Sequence, residues 1–141
     1  MKVVKVIKLS VVCLFLLSTV LIVNGQENNS QSNVKENPNA PEIYFEKTSH
    51  DYGNIKNGSE GSSVFVFKNT GKKPLVLTDV KASCGCTTPT WPREPITQGK
   101  SAVIKVVYDT KRIGSFNKTI TVTSNAKTSP VVLTIKGVVT E

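Results

Sequence analysis

Cysteine, histidine and aromatic residues are all scarce in this chain of 141 residues, which has three Cys, one His and 6% aromatic side chains. So few cysteines exclude a small fold held by many disulfides, and a single His excludes most zinc enzymes that use several imidazoles. The chain also lacks a Gly-rich phosphate loop, a paired-carboxylate motif and a Gly-x-Ser-x-Gly elbow. The sequence therefore predicts a protein that is not an enzyme and that needs no cofactor.

Acidic residues are outnumbered, with 10 Asp and Glu against 18 Lys and Arg, which gives a net charge of +8. The basic residues are mostly Lys, are spread along the chain and are not interleaved with aromatic residues. Nucleic-acid binding favours an Arg-rich patch or a stacking platform, so we expect no nucleic-acid partner. Lysines at exposed strand positions instead discourage edge-to-edge pairing of sheets.

The first 25 residues have the pattern of a cleaved secretory signal peptide. Three Lys precede an uncharged run at residues 9–23, and Val23 and Gly25 suit signal peptidase, which places the cleavage before Gln26. An uncleaved anchor is the alternative, but the run is shorter than the roughly 20 apolar residues of a membrane-spanning helix. Cleavage removes Cys13 and the three lysines, which lowers the charge to +5. We therefore expect an exported protein, periplasmic or secreted, that retains no transmembrane segment.

Residues 26–40 are polar and contain five Asn but almost no apolar side chain. Such a segment cannot bury enough apolar surface to offset the conformational entropy of its chain. The sequence thus predicts a disordered polar linker over residues 26–40 and one folded domain over residues 41–141.

The domain has the composition of a β protein, because Val, Ile and Thr number 33 after residue 40 whereas Leu and Ala number six. No stretch shows the 3.6-residue apolar repeat of a helix. Six segments resemble strands, at residues 43–45, 62–68, 75–82, 102–108, 116–123 and 131–139. About seven short strands in about 100 residues predict an all-β, immunoglobulin-like β-sandwich.

Alternation along three of these segments assigns faces to their side chains. The residues placed together on apolar faces are Ile104, Val106, Tyr108, Ile120, Val122, Val131, Leu133 and Ile135. The residues expected to point outward from the fifth segment are Asn117, Thr119, Thr121 and Thr123. These positions define the expected core and one expected polar surface.

Other local features refine the expected sandwich. Residues 64–67 are all apolar, which predicts a strand covered on both faces, whereas His50-Asp51-Tyr52-Gly53 predicts a turn. Three prolines between residues 89 and 95 keep that segment extended and outside any central ladder. Cys84 and Cys86 are too close in sequence to link two sheets, so packing alone must hold the core.

Cys84-Gly85-Cys86 is the one motif of the domain whose side chains suggest redox or metal-binding chemistry. Its thiols could pair with each other, pair with another chain, bind a soft metal such as Cu(I), or stay free. A disulfide between them closes a tight ring, which Gly85 would help to accommodate and which is more easily reduced than a structural bridge. Lys81 is the only cation nearby in sequence, and no Met or His adjoins the motif. A structural turn with a local disulfide or a buried thiol pair is the favoured hypothesis, and no metal is expected.

Trp91 and His50 are the other candidate site residues. Trp91 stands among the prolines, where its ring either contacts a ligand such as a glycan or covers the open end of the sandwich, and the covering role is favoured. His50 could in principle activate a thiol, but a hydrogen-bonded structural role suits its turn-like sequence better.

Several short motifs together resemble a known family. The motifs are His50-Asp51-Tyr52-Gly53-Asn54-Ile55, Lys68-Asn69-Thr70-Gly71 with Pro74-Leu75, Ser83-Cys84-Gly85-Cys86-Thr87 with Pro89 and Trp91-Pro92, Gly114-Ser115-Phe116-Asn117-Lys118, and Ser124-Asn125-Ala126. They resemble the pattern of domain of unknown function 1573, which is common in exported proteins of Bacteroidetes-type bacteria. That family is similar to the immunoglobulin-like domains of Hydin and major sperm protein. The resemblance implies a small β-sandwich outside the cytoplasm and makes Cys84 and Cys86 a site to test, but it implies no established activity.

The function favoured by the sequence is therefore non-enzymatic: binding of a protein partner, or a structural role, in the cell envelope. The edge strands and end loops of a sandwich offer contact surfaces for such a role. The alternative hypothesis is a thiol module that uses Cys84 and Cys86 for dithiol redox chemistry or copper binding. Glycan binding through Trp91 is a third and weaker hypothesis.

Overall fold

The structure, a computed structural model, describes residues 37–141. The predicted signal peptide, Cys13 and residues 26–36 of the predicted linker lie outside the described residues. Within the described part, eight strands follow one another along the chain: β1 (Ile43–Phe45), β2 (Ser49–Lys56), β3 (Ser62–Asn69), β4 (Leu77–Ala82), β5 (Thr87–Thr90), β6 (Ser101–Tyr108), β7 (Gly114–Ser124) and β8 (Val131–Thr140).

The strands form two four-stranded sheets, which we call sheet A and sheet B. Sheet A has the order β1-β3-β6-β5, and sheet B has the order β2-β8-β7-β4. All neighbours pair antiparallel except β2, which runs parallel to β8. The predicted immunoglobulin-like β-sandwich is confirmed, with one strand more than expected.

The core lies between the sheets and is built from alternate residues of the central strands. The largest fully buried side chains are Phe65, Phe67, Leu75, Ile104, Val106, Ile120, Val122, Leu133, Ile135 and Val139. Full burial of one such side chain contributes about 1.5–3 kcal/mol. The predicted inward faces of β6 and β7 and the inward Leu133 and Ile135 of β8 are confirmed, while Val131 is half-buried at the start of β8.

Aromatic contacts join the two sheets across this core. The rings of Tyr108 on β6 and Phe116 on β7 are stacked with centroids 3.8 Å apart. Within sheet A, Phe45 and Phe67 meet at a centroid distance of 5.6 Å. The disulfide found in the described residues joins Cys84 to Cys86 within one connection, so it links no strand of one sheet to a strand of the other. Packing holds the sheets together, as the sequence predicted.

The region predicted as a turn at residues 50–53 is instead the first half of β2. The prediction was wrong because these turn-forming residues make a local irregularity within β2 and do not end the strand. The Asp51 carboxylate accepts a hydrogen bond from the Gly53 N–H at 2.8 Å, and Gly53 has a left-handed φ of 60°. The pairing register with β8 shifts between Asp51 and Asn54. A bulge therefore carries the turn-forming residues without ending the strand.

Residues 64–67 are covered on one face only, so the predicted double coverage was wrong. Phe65 and Phe67 are fully buried, whereas Val66 is half-buried and Val64 is 44% exposed. The reason is architectural, because β3 is a central strand of sheet A and no layer of the described residues lies against the outer face of that sheet. The outward-facing residues of this apolar run are therefore not covered by another layer.

Two further strand boundaries differ in detail. The predicted strand at residues 75–82 starts at Leu77, because Leu75 instead makes an isolated bridge with Ile96. The proline-rich segment contains the short strand β5 at the edge of sheet A, where a missing N–H at Pro89 is tolerated. The prediction that this segment stays outside any central ladder is confirmed.

Asn69 ends β3 and anchors two loops through a fully buried side chain. Its amide Nδ2 donates to the carbonyl oxygens of Lys73 and Ile96, each at 2.8 Å, and its Oδ1 accepts from the Gly71 N–H at 2.9 Å. A Cβ at Gly71 would collide with the backbone of Ala40 and Glu42, so this position requires glycine. The Asn-Thr-Gly motif is thus explained by loop packing.

Candidate functional site

The Cys84-Gly85-Cys86 motif lies in the connection from β4 to β5, where the chain crosses from sheet B to sheet A. The two sulfurs are bonded to each other, with the Cα atoms 5.3 Å apart. Cys86 is buried and Cys84 is half-buried against the core. The Thr87 Oγ1 lies 3.8 Å from each sulfur. In this state the motif has no thiolate with which to attack a substrate or bind a metal.

Backbone hydrogen bonds hold the same connection on both sides of the disulfide. The Thr87 N–H donates to the Cys84 carbonyl at 3.3 Å, and the Asp109 N–H donates to the Cys86 carbonyl at 2.9 Å. Gly85 does not need glycine's conformational freedom, because its φ is not left-handed and a Cβ there would meet nothing within 4 Å. The expectation that Gly85 supplies an unusual backbone angle is therefore wrong. The geometry is that of a structural turn, and the functional role of the pair stays a prediction.

His50 is separated from the cysteines by the width of sheet B. It lies on β2 at one edge of the sheet, whereas the cysteines follow β4 at the other edge. The His50 ring packs edge-on against Tyr52 with centroids 4.4 Å apart. The Tyr52 hydroxyl donates to the Gly61 carbonyl at 2.8 Å, and burial raises the pKa of this phenol. The structure therefore places His50 in a packing role and not beside the thiols.

Trp91 follows β5, and its side chain contacts both the core cluster and a groove on the protein surface. Part of its ring packs against the core cluster, and the Arg93 guanidinium lies 3.8 Å from the ring centroid in a cation–π contact. Its indole Nε1 is buried and has no hydrogen-bond partner among the described residues. The other part of the side chain lines a groove on the outside of sheet A. The ring is thus packed on one side and accessible on the other, and its contact with a ligand stays a prediction.

The groove has a volume of about 410 Å³ and lies between the segment after β5 and strand β6. Its lining residues are Thr90, Trp91, Pro92, Ala102, Val103 and Lys105. The lining is almost wholly apolar, and the Lys105 ammonium supplies its only charge among these residues. We call this the Trp91 groove.

The outer face of sheet A carries exposed apolar side chains next to this groove. We call it the valine face and define it by Tyr44, Val64, Val103 and Val107, which are 57%, 44%, 47% and 42% exposed. Strand pairing places the half-buried Val66 opposite Val103 and the exposed Lys105 opposite Val64, so Val64 neighbours Val103 and Val107 diagonally, with Lys105 between them. Side chains at such paired and diagonal positions touch one another across the strands.

The outer face of sheet B is polar in the same positions. The predicted outward set on β7 is found facing outward, and it comprises Asn117, Thr119, Thr121 and Thr123. An ion pair between Lys136 Nζ and Asp51 Oδ2 at 3.4 Å lies on the neighbouring strands. The Gly53 N–H and Lys136 together hold the pKa of Asp51 below its usual value. The apolar exceptions are Val132 and Val138 on β8, which are 51% and 38% exposed.

Sequence reasoning found Cys84, Cys86 and Trp91 but missed the valine face. The signal was present, since residues 64 and 66 on β3 and residues 103 and 107 on β6 are all Val. Val64 and Val66 were interpreted as buried because apolar side chains occupied both faces of their strand, whereas Val103 and Val107 were given no role. No three His, Cys, Asp or Glu side chains of residues 37–141 converge to hold a metal ion. No helix within that range has the length and apolar character of a membrane span.

The fold and the site define an immunoglobulin-like β-sandwich with a local disulfide. The sequence matches a family described as "Protein of unknown function (DUF1573)" over residues 43–139, so the chain belongs to that family. The resemblance drawn from its motifs is confirmed. No protein of curated function matches the sequence significantly.

Solved structures similar to this fold come from bacteria and from a human protein. A protein of unknown function from Porphyromonas gingivalis W83 has a TM-score of 0.66 at 19% identity, covering 75% of this chain and 51% of its own. The chain thus spans about half the length of that protein. PapD-like domain 7 of human CEP192 has a TM-score of 0.62 at 8% identity, covering 74% of this chain and 89% of its own.

A third similar structure belongs to an enzyme. The VesB protease of Vibrio cholerae has a TM-score of 0.56 at 12% identity, covering 71% of this chain and 32% of its own. At such identities the three similarities show the fold alone, and they assign no activity to this chain.

Proposed function

We propose that this chain is an exported β-sandwich module that binds another protein of the cell envelope through the valine face of sheet A, and that it performs no catalysis. The observation that carries the proposal is the contrast between the two outer faces. Sheet A exposes Tyr44, Val64, Val103 and Val107 on one surface, whereas in sheet B the outer side of β7 carries Asn and Thr, and exposed Val is limited to Val132 and Val138 on β8. Contiguous exposed apolar side chains on a folded domain commonly mark a contact surface.

The size of the face suits a modest interface. The central strands β3 and β6 have eight residues each, which at about 3.3 Å per residue gives a length of roughly 26 Å, whereas the edge strands β1 and β5 have only three and four residues. Specific interfaces bury about 800 Å² on each partner. Sheet A alone therefore suits a small domain or a segment of a partner, and neighbouring loops would have to add area for a tighter complex.

Export is the part of the proposal that rests on the sequence pattern alone. The three lysines, the uncharged run at residues 9–23 and the small residues before Gln26 support it. The intact mass of the protein isolated from the periplasm of its host tests this part. We expect a chain that begins at Gln26, and a mass that includes residues 1–25 would contradict cleavage.

The thiol-module alternative has less support. The sulfurs of Cys84 and Cys86 are bonded to each other, and Cys86 is buried. His50 lies at the far edge of sheet B, and no cationic side chain contacts either sulfur among the described residues. An attacking thiolate needs access and a stabilising positive environment, and this geometry supplies neither.

Site-specific photo-crosslinking in the native host tests the binding face. A photoreactive amino acid is placed singly at Val64 and Val107 on sheet A, and at Thr121 and Val132 on sheet B. We expect covalent adducts of defined mass from the two sheet A positions and none from the two sheet B positions. Val132 is the matched control because it is an exposed Val on a strand of the same fold.

Adducts from both sheets in equal yield would contradict a defined binding face. Adducts from Thr121 and Val132 alone would show that the polar face is the contact surface. Absence of adducts from all four positions would contradict the proposal that the protein works by binding another protein.

A further inference from the structure

The Trp91 groove is an open apolar depression that has room for an apolar side chain. The walls are the indole of Trp91, the ring of Pro92 and the side chain of Val103, and the volume is about 410 Å³. The groove is open to solvent and opens onto the valine face, because Val103 belongs to both. A partner lying across the valine face would therefore reach the groove directly.

Two cationic side chains lie beside this apolar groove. Lys105 is exposed, lines the groove through the apolar part of its side chain, and makes no ion pair with any residue that the structure describes. The Arg93 guanidinium lies over the Trp91 ring at 3.8 Å and likewise has no ion-pair partner in residues 37–141. Glu94 is the acidic residue next in sequence, and it pairs with neither cation. The two cations are therefore available to carboxylates of an incoming chain.

A buried donor adds a third feature. Trp91 Nε1 is buried and lacks an acceptor within the described chain. Buried indole N–H groups usually have a hydrogen-bond partner.

A carbohydrate ligand fits these features less well. A sugar ring stacks on the open face of an aromatic side chain, and the Arg93 guanidinium already covers one face of Trp91. The lining also has few hydrogen-bonding groups for sugar hydroxyls, since only Thr90 and Lys105 present polar side chains. The unpaired cations and the apolar walls favour an acidic peptide segment.

We propose that the Trp91 groove binds an acidic segment of the partner protein, in which an apolar side chain occupies the pocket and adjacent carboxylates pair with Lys105 and Arg93. This inference rests on the proposed function and names the chemistry of the partner. Lys105 and Arg93 then act as specificity residues, because they favour acidic over basic segments.

Fluorescence titration of the purified full chain tests the proposal directly. Trp91 is the only tryptophan of the sequence, so its emission reports on the groove. The probes are two short synthetic peptides that differ only in charge, one with Leu flanked by Asp and Glu and the other with Leu flanked by Lys. We expect a saturable change in emission with the acidic peptide, weakened by salt, and none with the basic peptide.

Variants of the groove and of sheet B supply matched comparisons. Lys105→Glu should weaken binding of the acidic peptide by about tenfold or more and confer binding of the basic peptide. Val103→Ser should also weaken binding of the acidic peptide. Lys81→Glu and Val132→Ser, on exposed positions of sheet B, should leave the titration unchanged.

Three results would overturn the inference. They are equal binding of both peptides, no saturable change with the acidic peptide, and a saturable change with an oligosaccharide that Lys105→Glu does not alter. Crosslinking at Val64 and Val107 separates the two proposals, because those positions do not line the groove. If the titration fails but crosslinked adducts still form at these two positions, the groove proposal is rejected and the binding function of the valine face stands. If no adducts form there either, both proposals are rejected.

Discussion

The two sheets of this domain have the same inner architecture and different outer surfaces. Both place alternate apolar residues in the core, as β6 does with Ile104 and β7 with Ile120. On the outside, β7 carries Asn and Thr, whereas β3 and β6 carry Val. Thr is β-branched and favours strands as Val does, so β7 shows that a central strand of this fold does not require exposed Val. We propose that the outer face of sheet A carries its exposed Val because it contacts another molecule.

The largest expected effect is a loss of stability on substitution of an inward-facing residue of β6, compared with an outward-facing residue of the same strand. Ile104→Ala on β6 should lower the free energy of unfolding by about 2–5 kcal/mol, because it leaves a cavity between the sheets. Val103→Thr, one residue earlier and pointing outward, should change it by no more than about 0.5 kcal/mol. Urea denaturation of both variants measures the difference. A large loss of stability with Val103→Thr would mean that the valine face supports the fold itself.

A comparison of two asparagines gives the next largest effect. Asn69→Ala should lower the free energy of unfolding by about 3 kcal/mol, because it leaves the buried Gly71 N–H and the part-buried Lys73 and Ile96 carbonyls without their side-chain partner. Asn117→Ala on the outer face of sheet B should be nearly neutral. Thermal denaturation checks both, and equal shifts in Tm would disprove an anchoring role for Asn69.

Removal of the disulfide should have a smaller effect on stability and none on binding. Cys84→Ser combined with Cys86→Ser should cost about 1–2 kcal/mol, since the closed loop is very short. The variant should still give crosslinked adducts at Val64 and still respond to the acidic peptide. Chemical denaturation gives the first quantity and crosslinking the second. A stable variant that gave no crosslinked adducts would show that binding depends on the cysteines and would favour the thiol-module alternative.

The smallest effect concerns the ion pair on the polar face. The pKa of Asp51 is lowered in the folded state, so Asp51 stabilises the protein above its unfolded-state pKa near 3.8, and this stabilisation is lost as the pH falls through the lower folded-state pKa. Asp51→Asn should therefore be slightly less stable than the parent near neutral pH and equally stable in strong acid. Urea midpoints measured across that range test the sign. A gap that widened in acid would contradict it.

The sequence predicted the inner half of the sandwich well. Alternation identified Ile104, Val106, Ile120, Leu133 and Ile135 as facing the core, because apolar residues recur at every second position there while the intervening positions include Lys105, Thr119, Thr121 and Thr134. Alternation failed at residues 64–67, where both faces are apolar and only the tertiary structure shows which face is covered. It also failed at β2, where Gly53 and Asp51 form a bulge that has the composition of a turn.

The candidate site could be predicted only in part. Cys84, Cys86 and Trp91 were found because rare residue types stand out in a short sequence. The groove was not predictable, because it joins residues after β5 to residues of β6 through the pairing of the two strands. The sequence also could not show that Lys105 lacks an ion-pair partner or that Trp91 Nε1 lacks a hydrogen-bond acceptor within the described residues, because both depend on the tertiary structure.

Cysteine protection in the native envelope tests the binding face most directly. Val103→Cys on sheet A and Val132→Cys on sheet B are suitable, since these positions are 47% and 51% exposed. In purified protein, a maleimide should label both variants at similar rates. In intact envelopes, we predict that labelling slows at position 103 and stays unchanged at position 132. Equal labelling of the two positions in the envelope would contradict a partner on the valine face.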